Sequence, residues 1–207
     1  MTEEAKAIVR PKKPLSTRVA HWARWLHIYV SMLGLMAVLF FSVTGITLNH
    51  PDWFFADVQS FDSAKGKLDE SWVGGDEVRR LEISEYLRTT HGLRGAITEF
   101  TVDDVECAII FKGAGYTADI YIDRETGAYN LSESSVGLVG ILNALHKGGD
   151  TGPAWSLVID VVAVLLTLAS CTGLLLLLYL KKRRRNALLA ACAGTLALVL
   201  IYVFAVP

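Results

Sequence analysis

The sequence predicts an α-helical membrane protein with three transmembrane helices and a small α+β domain inserted between the first and second. Three observations carry that prediction. The composition is too apolar for an ordinary soluble domain, with 52% hydrophobic residues in a 207-residue chain and a mean hydropathy of +0.39. The excess is concentrated in three runs: Ile28 to Leu48 and Ala187 to Val206 hold no charge, and Trp155 to Leu180 holds only Asp160. Between the first two runs lies a polar stretch in which a helical pattern gives way to strand patterns.

Each run, at about 1.5 Å per residue, is long enough to cross a hydrocarbon core of roughly 30 Å. The first is too long for the apolar part of a signal peptide, and no small-x-small cleavage site follows it. The chain therefore divides into a basic segment (1–26), a first span (27–49), the inserted domain (50–153), a second span (154–180), a basic loop (181–186) and a third span (187–207). Lys6, Arg10, Lys12, Lys13, Arg18 and Arg24 precede the first span, and Lys181 to Arg185 link the second to the third. The positive-inside rule places both groups in the cytoplasm. The N-terminus is then cytoplasmic, with the inserted domain and the C-terminus on the outer side of the membrane. Trp22, Trp25 and Tyr29 at one boundary, and Trp53 and Trp155 at the other, suit the aromatic belts of a bilayer.

The formal net charge of −1 conceals an asymmetry: residues 51–153 hold eighteen acidic and nine basic side chains. The basic residues elsewhere coincide with membrane flanks, which disfavours a nucleic-acid partner. An acidic outer domain raises the local cation concentration, and is equally what a soluble domain of low pI looks like. Cys171 and Cys192 lie within spans and Cys107 stands alone, so neither a disulfide framework nor a thiolate metal site is indicated.

Within the inserted domain, Asn49-His50-Pro51-Asp52-Trp53 forms a turn at the membrane surface, with Pro51 stopping the helix. Residues 57–75 are polar and glycine-containing, and are expected to form a loop. Gly75-Asp76-Glu77 precedes a helical pattern from Val78 to Thr90, with Val78, Leu81 and Tyr86 as its apolar positions and His91-Gly92 as its end. Three or four strands follow. Ala96 to Val102 and Val105 to Lys112 flank the turn Asp103-Asp104, while Tyr116 to Ile122 and Ala128 to Leu131 flank Asp123-Arg124-Glu125-Thr126-Gly127.

A helix followed by a small antiparallel sheet with this Asp-Arg-x-Thr-Gly turn resembles a PepSY domain. The membrane part resembles the PepSY-associated transmembrane family. The motifs that carry this are Trp25-Leu26-His27, Ser31 and Phe41 to Pro51 (FSVTGITLNHP), then Leu145-His146-Lys147-Gly148, Gly152, Trp155, Asp160 and Gly173-Leu174 before the basic cluster. Larger relatives include membrane reductases that bind b-type haem and reduce ferric siderophores outside the inner membrane, and smaller three-span relatives are associated with iron uptake. The resemblance implies a haem-dependent ferric reductase that passes electrons from a cytoplasmic donor to ferric iron or a ferric chelate. The chain holds no GxGxxG or flavin motif, so the reductant comes from another protein, such as a flavodoxin-type or ferredoxin-type carrier or a flavin reductase.

A neutral imidazole is the usual protein ligand of haem iron, which makes the histidines the candidate site residues. His21 and His27 lie at the start of the first span, His50 closes it, and His146 precedes the second. His50 follows His27 by 23 residues, roughly 34 Å of helix, so the two cannot share one haem. His50 and His146 form a candidate pair within one chain. His27 has no histidine partner in the other spans and needs His21, or His27 of a second copy in a homodimer. The competing interpretation is that interfacial histidines bond to lipid headgroups or backbone. His91 is expected to be an ordinary surface residue.

Asp160, the only carboxylate within a span, is a candidate to hold a ligating imidazole, pair with a cation, or guide Fe³⁺ or protons, unless it snorkels to the interface. Asp52 and Asp57 offer hard oxygen ligands that suit ferric iron. Arg18, Arg24 and Lys181 to Arg185 could dock an acidic donor, although topology alone already explains them. Ser42, Thr44, Thr47, Ser170 and Thr172, with Gly45 and Gly173, give small polar helix faces that allow close approach. The alternative function is a non-redox accessory that binds a peptidase or transporter through the inserted domain.

Overall fold

In a computed structural model, residues 15–56, 58–74, 78–180 and 182–207 are described, with backbone alone for Leu15 and Ser16. Helix α1 (Leu15–Asn49) runs for 35 residues, because no proline interrupts that stretch and Pro51 cannot continue it. One turn of 3₁₀ helix (Trp53–Phe55) follows. The chain continues through β1 (Gln59–Lys67), α2 (Glu70–Val73), α3 (Arg80–His91), β2 (Ala96–Val102), β3 (Glu106–Gly113), β4 (Tyr116–Asp123) and β5 (Ala128–Val136). It ends with α4 (Leu138–Lys147), α5 (Pro153–Tyr179) and α6 (Arg184–Ala205). Two compact units result, one of residues 37–161 and one of residues 1–36 with 162–207.

Helices α1, α5 and α6 are long and apolar enough to cross a membrane, with peak mean hydropathies of 2.1, 2.6 and 2.4. The protein itself buries only 11%, 6% and 0% of these most apolar windows. Apolar surface on that scale needs a bilayer, not water, as its solvent.

In the unit of residues 37–161, the strands form one antiparallel sheet in the order β1-β5-β4-β3-β2. Alternation fixes its buried face: Cys107, Ile109 and Phe111 of β3 oppose Ile122, Ile120 and Ala118 of β4, and all six are fully buried. Ile83 and Leu87 of α3, also fully buried, complete the core with Val73 and Leu131. Of the three expected apolar positions, Val78 and Tyr86 pack against this core, but Leu81 does not. Leu81 is 72% exposed, and the sheet takes Ile83 and Leu87, which lie on the opposite side of the helix from it. His91 is likewise no ordinary surface residue, since its Nε2 lies 2.8 Å from the Tyr129 hydroxyl and ties α3 to β5.

The stretch expected as a loop holds β1 and α2. β1 pairs with β5 from Gln59↔Val136 to Lys67↔Ala128, and it contains no buried residue. Backbone pairing holds this edge strand, so it leaves no apolar alternation in the sequence, and Lys65 and Lys67 suit an edge. The same pairing carries β5 five residues beyond the expected Leu131.

The turn after β4 is built on Asp123. Its Oδ1 accepts from the Thr126 amide and hydroxyl, each at 2.8 Å, and from the Glu125 amide at 3.0 Å. Gly127 adopts φ +69°, and a Cβ there would meet the Leu68 carbonyl oxygen at 2.7 Å. The Thr126 amide and hydroxyl, more than the Glu125 amide, hold the Asp123 carboxyl below its ordinary range. A lowered folded-state pKa stabilises above the ordinary carboxylate pKa, and that stabilisation is lost as pH falls through the depressed value. Asp123→Asn is therefore expected to lower the melting temperature of the full chain at neutral pH. The deficit should shrink as pH falls below about 4, which circular dichroism melts across pH would show.

Candidate functional site

Helix α4 carries Asn143 and His146 one turn apart, and α1 carries Thr44 and Thr47 one turn apart. The two pairs meet in antiparallel register. Thr47 Oγ1 donates to Asn143 Oδ1 at 2.6 Å, and His146 Nδ1 lies 2.6 Å from Thr44 Oγ1. Thr44 is only 3% exposed, and its hydroxyl also reaches the carbonyl of Phe40, four residues back, at 2.6 Å. The Phe41 ring stands edge-on to the imidazole with centroids 5.0 Å apart. On the other side, the ring approaches Gly45, where a Cβ would sit 3.6 Å from His146 Cε1.

The end of α4 is fixed independently. Gly148 closes it in the left-handed region at φ +72°, and Trp155 Nε1 donates to the Leu145 carbonyl at 2.8 Å. Beside this helix a cleft of 460 Å³ is lined by Thr47, Gln59, Tyr116, Asn143, Lys147 and Asp150 among others. Its volume falls within the range of small-molecule sites.

A second histidine site lies in the unit of residues 1–36 and 162–207. Ala23, Val30 and Gly34 are buried along one face of α1, and His27 lies on the same face, half-buried. His27 Nδ1 sits 3.0 Å from the Ala169 carbonyl oxygen and 3.1 Å from Thr172 Oγ1 on α5. A carbonyl only accepts, so in the neutral ring Nδ1 carries the proton and donates, and the lone pair belongs to Nε2. Thr172 is 8% exposed and gives its own hydroxyl proton back to the Leu168 carbonyl at 2.7 Å. The ring presses on Gly173, where a Cβ would lie 3.1 Å from His27 Cε1. Nearby, an apolar cavity of 740 Å³ is lined by Arg18, Trp22, Ala23, Trp25, Leu26 and Thr172 among others.

A family profile described as PepSY_TM-like matches residues 21–207, which takes in both histidine sites and every strand. The chain belongs to this family. No curated protein and no solved structure matches it.

The remaining candidates of this PepSY_TM-like chain are placed differently. His50 is the first residue beyond α1, stacked on Trp53 with centroids 3.9 Å apart and planes at 9°. Its Nε2 lies 3.4 Å from the Asn49 amide nitrogen. His50 and His146 thus have separate neighbours, because α4 meets α1 at Thr44 and Gly45 and not at its end. His21 is exposed on α1, Asp52 is exposed beyond it, and Asp160 is exposed on α5. Asp57 lies outside the described residues. Among the described residues no three His, Cys, Asp or Glu side chains gather as a metal site. An imidazole whose Nδ1 is held by a carbonyl, with its second nitrogen unpartnered among the described residues, has the chemistry of a residue that would hold haem iron.

Sequence inspection missed helix α4 and the threonine partners of both histidines. The available signal was a Thr-Gly pair in each of the first two spans. The unequal clearances predict unequal tolerance. Gly173→Ala should destabilise the full chain in detergent by about 1 kcal/mol through overpacking against His27, whereas Gly45→Ala should be close to neutral in the same thermal melts.

Proposed function

We propose that this PepSY_TM-like chain is a haem-b protein of the bacterial inner membrane that passes electrons from a cytoplasmic donor to ferric iron or a ferric chelate in the periplasm. The observation that carries this is the placement of His27: Nδ1 lies 3.0 Å from the Ala169 carbonyl oxygen, a contact that keeps the proton on Nδ1 in the neutral ring and the lone pair on Nε2. Haem, when bound, supplies a one-electron iron couple whose potential the axial imidazoles and local dielectric tune.

The chain's own residues do the positioning. His27 is the inner ligand, completed by His21 or by His27 of a second copy in a homodimer, and Arg18 at the cavity edge suits an acidic substituent of the macrocycle. His146 is the outer ligand, with His50 as its candidate partner. The cleft beside α4 offers Gln59, Asn143 and Lys147 as hydrogen-bonding groups for a chelate. Asp52 contributes hard oxygen near the outer surface, and Asp160 serves as an intramembrane proton or cation relay. Arg18, Arg24 and the cluster Lys182 to Arg185, cytoplasmic by the positive-inside rule, receive the acidic donor. Each turnover oxidises the donor by one electron and reduces Fe³⁺ to Fe²⁺.

Absorbance spectroscopy of the purified full chain tests this reading. A Soret band with dithionite-sensitive α and β bands is expected, with the signal reduced in His27→Ala and in His146→Ala. Protein purified without haem from haem-replete cells would overturn the reading and leave a non-redox accessory in its place.

A further inference from the structure

The two histidine sites are built from the same five-residue pattern. Ser42-Val43-Thr44-Gly45-Ile46 on α1 and Ser170-Cys171-Thr172-Gly173-Leu174 on α5 both read Ser-x-Thr-Gly followed by a branched aliphatic residue. The agreement continues atom by atom. Each threonine hydroxyl reaches back to the carbonyl four residues earlier, Phe40 at 2.6 Å and Leu168 at 2.7 Å. A secondary contact runs to the carbonyl three residues earlier, Phe41 at 3.5 Å and Ala169 at 3.0 Å. Each hydroxyl also meets an imidazole Nδ1 from another helix, His146 at 2.6 Å and His27 at 3.1 Å. In both cases the ring's Cε1 is the atom that faces the following glycine, at 3.6 Å and 3.1 Å from the position of a Cβ.

We propose that Ser42–Ile46 and Ser170–Leu174 are two copies of one imidazole-holding device, in which Thr44 and Thr172 are positioning residues that select the Nδ1–H tautomer and leave Nε2 bare. A hydroxyl has one proton and two lone pairs. Once that proton is returned to the helix's own carbonyl, the oxygen can only accept from the imidazole. Glycine at the next position lets the ring lie against the backbone, where any Cβ would push it away. For His27 the Ala169 carbonyl enforces the same tautomer independently. For His146 no carbonyl reinforces the threonine contact, so the assignment rests on Thr44 returning its proton to the Phe40 carbonyl, as Thr172 does to Leu168. In neither ring does Nε2 have a hydrogen-bond partner among the described residues, which matches a donor atom held ready for a metal such as haem iron. Use of that lone pair rests on the proposed reductase function, whereas the tautomer does not.

The test is ¹⁵N NMR of the full chain, labelled at histidine and purified from cells starved of haem, with signals assigned through His27→Gln and His146→Gln. Both imidazoles should be predominantly Nδ1–H, in contrast to the Nε2–H form that free imidazole side chains favour in water. Thr44→Val should shift His146 several-fold toward Nε2–H while leaving His27 unchanged, and Thr44→Ser should restore it. Thr172→Val should move His27 less, because the Ala169 carbonyl remains. The untouched histidine in each variant serves as the internal check on folding. Finding His146 as Nε2–H in the unsubstituted chain, or unmoved by Thr44→Val, would overturn the proposal. Because no haem is present, this outcome is independent of the absorbance result.

Discussion

The structure depends on how a polar ring is satisfied where water is scarce. Within a bilayer every donor and acceptor must find a partner in the protein, and an imidazole has two nitrogens to place. Here one nitrogen is placed on a threonine hydroxyl and the other is left over. Hydrogen bonds between membrane helices contribute on average only about 0.6 kcal/mol, reaching about 1.7 kcal/mol. That is too little for either threonine to hold helices together against the effect of apolar packing. The magnitude argues that Thr44 and Thr172 act mainly on orientation: a bond of this size is enough to choose between two tautomers that differ by a similar amount.

The inserted sheet matters to His146 because it delivers α4. Strand β5 ends at Val136 and α4 begins at Leu138, with only Gly137 between them. Gly140 then lies under the Val136 side chain, where a Cβ would stand 2.6 Å from Val136 Cβ. This close approach sets the direction of α4 as it leaves the sheet. Two polar contacts to α1 and the Trp155–Leu145 bond fix its far end. His146 is thereby carried to the middle of an α1 polar patch and not to the helix terminus where His50 lies.

Hydropathy made the three long helices legible, because a run without charge has one physical explanation at that length. Three or four strands were legible from turn signals and alternation, the latter clearest where Ile109, Phe111, Ile120 and Ile122 each alternate with a less buried neighbour. β1 was not legible: an edge strand stabilised by main-chain pairing has no side-chain period to show. Helix α4 was hidden for a different reason, as its apolar stretch from Leu138 to Leu145 is too short to span a membrane and too short to show a clear helical period. The histidines themselves stood out, but their partners did not. A threonine within a helix is satisfied by its own carbonyl four residues back, so nothing local announces that it will also receive an imidazole. Only the repetition of Ser-x-Thr-Gly in two different helices carries that information.

The most direct measurement is a double-mutant cycle on Thr44→Val and His146→Phe, read as thermal stability of the full chain in detergent. A direct bond between the two side chains predicts a coupling of about 0.5 to 1.5 kcal/mol. Losses that add to within about 0.3 kcal/mol would show that His146 is not held by α1 and would contradict the account.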